Sequence, residues 1–225
     1  SGDCFLDGDN PLTIHGAIVD HARCILASGA RMLTFGGDHS ISYPLLQAHV
    51  EKTGAPLSLI HFDAHCDTWP DDSPASLNHG SMFYKAVREG LIDVKRSVQI
   101  GIRTWNDDFM GINILDADRI HRQGTDAVVA EIERIVGTHP AYLTFDIDCL
   151  DPAYAPGTGT PVCGGLSTAQ ALAIIRGLTA INLIGMDIVE VSPPYDHSQI
   201  TALAAAHIAC DLICLLAKRK ADGLL

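Results

Sequence analysis

Two kinds of apolar pattern alternate along the chain. Residues 31–35 (RMLTF), 57–62 (LSLIHF), 98–102, 141–145 (AYLTF) and 181–191 are short, nearly continuous apolar runs that predict buried strands. Between them lie longer stretches with helical apolar spacing: residues 12–28, 41–50, 79–89, 125–136, 167–177 and 199–217. The first of these carries Ile14, Ala17, Ile18, Ile25 and Leu26 and stops at Gly29; others stop at Gly90 and Gly137. Strands of continuous apolar character spaced by helices predict an α/β protein with a parallel sheet covered on both faces. In such sheets ligands gather at the carboxyl ends of the strands. No repeat, linker or low-complexity stretch breaks the series, so residues 1–225 read as one domain.

Composition narrows the function classes. The chain is 47% hydrophobic and 19% charged, which excludes a disordered protein. Its formal charge of -12 excludes a nucleic-acid surface, which needs a basic patch, and leaves carboxylates available for cations. Seven cysteines, an odd count without a C-x-x-C pair, read as reduced thiols rather than a disulfide framework or zinc ribbon. No apolar run is read as long enough to span a bilayer, and Ser1-Gly2-Asp3-Cys4 lacks the basic start and apolar stretch of a signal peptide. The expectation is a cytoplasmic protein without membrane partners. The missing initial Met adds the expectation that an N-terminal portion precedes Ser1.

Polar residues with chemical potential sit where the strands end. Gly36-Gly37-Asp38-His39-Ser40 follows the first run, Asp63-Ala64-His65-Cys66-Asp67 the second, and Asp146-Ile147-Asp148 the fourth; Glu190 lies in the last. In an extended chain, alternate residues share a face, so Asp63, His65 and Asp67 are expected to point together, and Asp146 and Asp148 likewise. Four converging carboxylates repel one another unless cations are present. Each motif alone is more often a loop polar cluster or helix cap than a metal site, and His39 alone more often a packed or capping residue than a ligand; together they meet at one sheet edge. His61 is assigned the opposite parity and read as structural. Two imidazoles and four carboxylates suit a hard ion such as Mn²⁺, with zinc left open. Six ligands exceed one tetrahedral ion and fit two ions about 3.5–4 Å apart.

These motifs resemble those of the ureohydrolase family, which includes arginases and agmatinases. The likeness continues through Asp146-Ile147-Asp148-Cys149-Leu150-Asp151-Pro152 and residues 154–161. Toward the bacterial agmatinases it extends to His79-Gly80-Ser81-Met82-Phe83-Tyr84, residues 98–104, and Gly185-Met186-Asp187-Ile188-Val189-Glu190. The resemblance implies a three-layer arginase-like fold, a central parallel sheet flanked by helices, and two Mn²⁺ per chain. It implies that Asp63 and Asp146 bridge the ions, that His39 and Asp67 complete one site, and that His65 and Asp148 complete the other. His79 matches an active-site histidine, and Glu190 the carboxylate that pairs with a cationic guanidinium. A hydroxide held between the ions would attack the guanidinium carbon, with Asp67 passing a proton to the departing amine. A homotrimer or homohexamer is also implied, as is a chain that starts well before the equivalent of Ser1.

Substrate choice rests on departures from the arginase pattern. Trp69 stands where arginases carry an Asn that holds the α-carboxylate, and Ala75 where they carry a Ser. Both departures argue against arginine, since a buried carboxylate without donors is poorly held. Asp71 and Asp72 are candidate partners for a distal amine or plain loop residues, and agmatine is preferred with guanidinobutyrate as rival. Two readings of other classes stand beside these. One is a deacetylase holding a single zinc ion; the other is a catalytically silent binding or regulatory homologue.

Overall fold

The computed structural model describes residues 2–6, 10–73 and 78–224. Its elements follow the order α1 (Pro11–Ala27), β1 (Met32–Phe35), α2 (Ser42–Thr53), β2 (Ser58–Phe62), α3 (Met82–Arg88), β3 (Val98–Ile100), β4 (Asn113–Leu115), α4 (Ala117–Gln123), α5 (Thr125–Val136), β5 (Pro140–Asp146), α6 (Thr168–Gly177), β6 (Asn182–Val189) and α7 (Ile200–Ala221). The six strands form one sheet in the order β1-β6-β5-β2-β3-β4, and every pairing is parallel. The α/β architecture expected from the apolar pattern is present. β4 and α4 escape the sequence reading because a three-residue strand and a seven-residue helix are too short to show a period. The helix expected over 79–89 begins only at Met82.

Alternate residues of the strands feed two cores, as the pleat requires. On one face Ile60, Phe62, Val98, Ile100, Leu143 and Phe145 pack with Val128 and Ile132 of α5, Ile174 of α6, and Ile208 and Leu212 of α7. On the other, Leu57, Leu59 and Tyr142 pack with Ala22 and Leu26 of α1, Leu46 of α2 and Phe83 of α3. Helices thus cover both faces of the sheet, giving three layers.

Local signals fix the helix ends. Asn10 accepts the Leu12 N–H at 3.0 Å to cap α1, and Ser167 with Gln170 forms a capping box on α6. α7 corrects one expectation: with a mean hydropathy of 2.1 over 18 residues it is long and apolar enough, by length and composition, to cross a membrane. In this fold one of its faces is buried through Ala204, Ala205, Ile208, Ala209, Leu212 and Leu215 against the sheet and α6. A helix lying along a core meets the same length and composition criteria.

Gly101 ties the sheet to its functional edge. It follows β3 at φ +95°, and a Cβ there would sit 2.8 Å from Cys149 Sγ and 3.0 Å from the Asp63 carbonyl. Both the left-handed backbone and the close approach require glycine. Gly101→Ala is expected to destabilise the fold by about 1–3 kcal/mol. A lowered denaturant midpoint at unchanged slope is the readout; an unchanged midpoint would contradict this packing.

Candidate metal centre

The chain winds β1, crosses to β2, builds β3 and β4 outward, then returns to fill the gap with β5 and β6. Four neighbouring strands, β1, β6, β5 and β2, therefore open their carboxyl ends onto one place. After β1, Asp38 Oδ1 accepts the Ser40 N–H at 3.0 Å and caps a single 3₁₀ turn that presents His39. After β5, Asp146 Oδ1 accepts the Asp148 N–H at 2.8 Å and caps a second such turn. After β2 the chain bends, and Asp67 takes the left-handed conformation at φ 54°. After β6, Glu190 does the same at φ 65°, its N–H donating to the Gly37 carbonyl at 2.9 Å. Only four non-glycine residues among those described have positive φ, and two of them line this place.

The side chains converge. His39 Nδ1 lies 3.0 Å from Asp63 Oδ2, 3.1 Å from Asp67 Oδ2 and 3.2 Å from Asp146 Oδ2, yet no group hydrogen-bonds to it with proper geometry. His65 Nδ1 lies 3.0 Å from Asp148 Oδ2 and 3.3 Å from Asp63 Oδ1. The ligand atoms fall into two compact sets, His39-His61-Asp63-Asp67 and Asp63-His65-Asp148, that share Asp63. All six residues singled out as metal ligands, His39, Asp63, His65, Asp67, Asp146 and Asp148, are brought together here. His79 and Glu190 join them: His79 Nδ1 lies 3.1 Å from Glu190 Oε1, which also accepts the His39 N–H at 2.8 Å. His79 is half exposed, so this pair forms the mouth of the site.

His61 needs correction. It shares the odd numbering of Asp63, not the opposite parity, and its Nε2 lies 2.7 Å from Asp63 Oδ2. Gln99 Nε2 lies 2.6 Å from the Cys66 carbonyl, an acceptor only, so this end of the amide is its NH₂. Its other hydrogen is donated to His61 Nδ1 at 3.0 Å. Neutral His61 then carries its proton on Nε2 and donates it to Asp63. His61 holds a carboxylate in place, and the reading of it as structural agrees with this geometry.

Protonation shows how strongly the cluster demands positive charge. Burial, then the neighbouring Asp63, pushes Asp67 up to about 7. Burial with Asp63 and Asp148 lifts Asp146 well above the usual carboxylate range, and burial with Asp63 raises Asp148. Burial opposes the charged form of His65, but the bonded Asp148 and Asp63 outweigh it and raise this group to about 11. His39 is raised in the same way against its burial by Asp146, Asp63 and Asp67. Asp63 alone is held well below its usual range, its burial outweighed by His61, His39 and His65. Burial pulls His61 down to about 4 despite Asp63. Protons thus fill the role that cations would take in this cluster.

The donors are nitrogen and oxygen only. Cys66 Sγ accepts from Asn106 Nδ2 at 2.8 Å, and Cys149 Sγ donates to the Ile100 carbonyl at 3.5 Å, so neither thiol is offered to the cluster. Trp69 is half-buried with its ring 6.4 Å from that of His65. Asp72 accepts from Tyr84 OH at 3.0 Å and faces Arg88 Nη1 at 3.5 Å, while Asp71 accepts the Ser73 N–H at 2.9 Å and the Ser81 hydroxyl at 3.3 Å. Both acids are engaged within their own loop and with α3. Ala75 lies outside the described residues.

A profile of the arginase family matches residues 1–214. The chain belongs to that family. Within it, the chain is 68% identical over 224 residues to an agmatinase of Chromobacterium violaceum, covering all of this chain and 70% of that protein. The family fold is equally plain. A crystal structure of a hypothetical agmatinase from Burkholderia thailandensis superposes with a TM-score of 0.96 at 70% identity, over 98% of this chain and 70% of that one. Proclavaminate amidino hydrolase from Streptomyces clavuligerus superposes with a TM-score of 0.91 at 36% identity, over 95% and 73% of the two chains. The arginase-like three-layer architecture expected from the motifs is therefore the one adopted. Buried polar residues behind the cluster that the sequence reading did not single out are Gln99, Thr144 and Asp187. Their signal was a polar residue set inside an apolar strand, which a buried sheet tolerates only with partners in place.

Proposed function

We propose that this chain carries the active site of an agmatinase, hydrolysing agmatine to putrescine and urea with two divalent ions, preferably Mn²⁺. The supporting observation is the pair of buried His and Asp sets joined at Asp63. His39, Asp67, Asp63 and Asp146 would hold one ion, and His65, Asp148, Asp63 and Asp146 the other. His39 Nδ1, buried and without a hydrogen bond, is the kind of orphaned atom that a cation satisfies. Imidazole and carboxylate donors without thiolate favour a hard ion. Two such ions would supply Lewis acidity and bring deprotonation of a shared water near neutral pH.

The protein groups divide the remaining work. Glu190, fixed by the His39 N–H at 2.8 Å, faces the mouth and pairs with the guanidinium, aligning its carbon above the cluster. Asp67 accepts the proton of the attacking water and returns it to the departing amine nitrogen as the carbon–oxygen bond forms and the carbon–nitrogen bond breaks. His79, half exposed beside Glu190, exchanges protons with solvent. Excess carboxylate around the site favours a cationic substrate. Full ligand occupancy separates this reading from a single-ion deacetylase and from a silent homologue. The seven free thiols support a reducing compartment such as the cytoplasm. A homotrimer or homohexamer, read by light scattering, completes the proposal.

Urea release with Mn²⁺ on agmatine, 4-guanidinobutyrate and arginine is the direct test. Agmatine is expected to give the largest kcat/KM, with arginine at least about tenfold lower, because the site rim offers Trp69 where a carboxylate would need donors. Efficient turnover of guanidinobutyrate with none of agmatine would refute the substrate assignment and leave the metal centre intact. Since Asp71 and Asp72 are engaged elsewhere, the preference is expected to survive Asp72→Asn.

A further inference from the structure

Behind His39, on the side away from the cluster, lies a buried chain of polar groups that the proposed chemistry does not use. Asp187 sits in β6 with no exposed surface and accepts three hydroxyls: Ser42 at 2.8 Å and Tyr142 at 2.7 Å on Oδ2, and Thr144 at 2.5 Å on Oδ1. Thr144 in β5, also fully buried, has its oxygen 2.8 Å from His39 Nε2. A hydroxyl has one hydrogen. Thr144 gives it to the Asp187 carboxylate, which can only accept when ionised, so toward His39 the Thr144 oxygen presents lone pairs. Nε2 must then carry the ring's proton, and the lone pair of the neutral imidazole falls on Nδ1. Nδ1 is the atom surrounded by Asp63, Asp67 and Asp146 at 3.0–3.2 Å. Rotating the ring by half a turn would put the ring carbon Cδ2 where Nδ1 faces the cluster and take Nε2 off Thr144, losing both contacts.

We infer that Thr144 and Asp187 are positioning residues that fix the tautomer and orientation of His39, so that Nδ1 is preorganised to take the ion on its side of the centre. Asp187 acts by orienting the Thr144 hydroxyl, and Ser42 and Tyr142 hold Asp187. The inference rests on the dinuclear reading and assigns the two ions unequal dependence on this chain, because His65 makes no contact with Thr144 or Asp187 among the hydrogen bonds and ion pairs described. Removing such outer partners typically weakens metal binding 10- to 100-fold.

The test is Mn²⁺ binding by calorimetric titration, with electron paramagnetic resonance to separate paired from single ions. Wild type and Thr144→Ser, which keeps the hydroxyl, are expected to bind two ions alike and to show the exchange-coupled signal of a pair. Thr144→Val, close in shape but without the hydroxyl, is expected to keep one ion and bind the other about 10- to 100-fold more weakly, giving a single-ion signal at limiting Mn²⁺. Asp187→Asn is expected to weaken the same ion. Equal affinities for both ions in Thr144→Val would overturn the inference, and unchanged affinity in Asp187→Asn would remove Asp187 from it. A crystal structure of the Mn²⁺-loaded wild type tests the same point without depending on how the variants fold. His39 bound through Nδ1 with Nε2 on Thr144 supports the inference, and binding through Nε2 overturns it. A wild type that binds no Mn²⁺ would instead sink the dinuclear reading, and this inference with it.

Discussion

Asp63→Asn is expected to lose both ions and to lower urea release by about 10³-fold or more, whereas Asp148→Asn loses one ion and keeps the other. The asymmetry comes from Asp63 lying in both close-packed ligand sets, with Oδ2 toward His39 and Oδ1 toward His65, a double duty that the proposed centre gives otherwise only to Asp146. An Asn at that position offers one neutral oxygen in place of two charged ones, so neither set retains its anchor. Asp148 belongs to the His65 set alone. Loss of paired-ion chemistry worth several kcal/mol of transition-state stabilisation corresponds to this drop in rate. Elemental analysis after gel filtration reads near zero ions per chain for the first variant and near one for the second. Asp63→Asn is expected to fold, since Asn keeps the shape of the side chain and an acceptor oxygen for the His61 Nε2–H. Two ions retained in Asp63→Asn would show that the sets do not share this residue as a ligand.

Stripping the metal is expected to reverse the pH dependence of stability. Asp67, raised to about 7, holds a proton in the folded metal-free state that the unfolded chain releases near pH 4. Its contribution is present at low pH and lost as pH rises through 7. His65, raised to about 11, contributes stability that is full below about pH 6.5 and declines as pH rises toward that value. Both act in one direction, so the metal-free protein is expected to melt at progressively lower temperature from pH 6.5 to 9. Asp63, held low, and His61, held near 4, destabilise only on the acid side of that window. Mn²⁺ displaces the protons, and its affinity rises with pH as they leave. At free Mn²⁺ of 100 times Kd, each site adds about 2.7 kcal/mol to folding stability. The melting-temperature gap between loaded and chelator-treated protein should therefore widen from pH 6.5 to 9. A gap that is flat or narrows with pH would mean that protons and ions do not compete for these groups.

The agmatinase of Chromobacterium violaceum is matched over 70% of its length. What is proposed for activity rests on residues within the matched segment, and each variant above tests one of them.

The class of fold and the make-up of the charged cluster were legible in the order of residues. Continuous apolar runs such as AYLTF have no polar face to leave in water, so they specify a doubly covered parallel sheet. Acids and imidazoles at the ends of such runs are carried to one sheet edge by topology alone. The parity argument for their convergence reached the right residues through the wrong backbone. Asp63, His65 and Asp67 lie beyond the end of β2 in a bent segment, with Asp67 left-handed, and Asp148 sits in a 3₁₀ turn capped by Asp146. The strand order that sets β5 and β6 between β1 and β2 emerged only from the folded arrangement, since local periodicity does not encode it. The same holds for the engagement of Asp71 and Asp72 elsewhere, for the proton His61 gives to Asp63, and for the path from Asp187 to His39 through Thr144. Those outcomes depend on hydrogen bonds between residues as far as 105 positions apart, as from His39 to Thr144. Such partners are chosen when the layers pack and buried polar groups must be satisfied, and no stretch of chain read alone contains that choice.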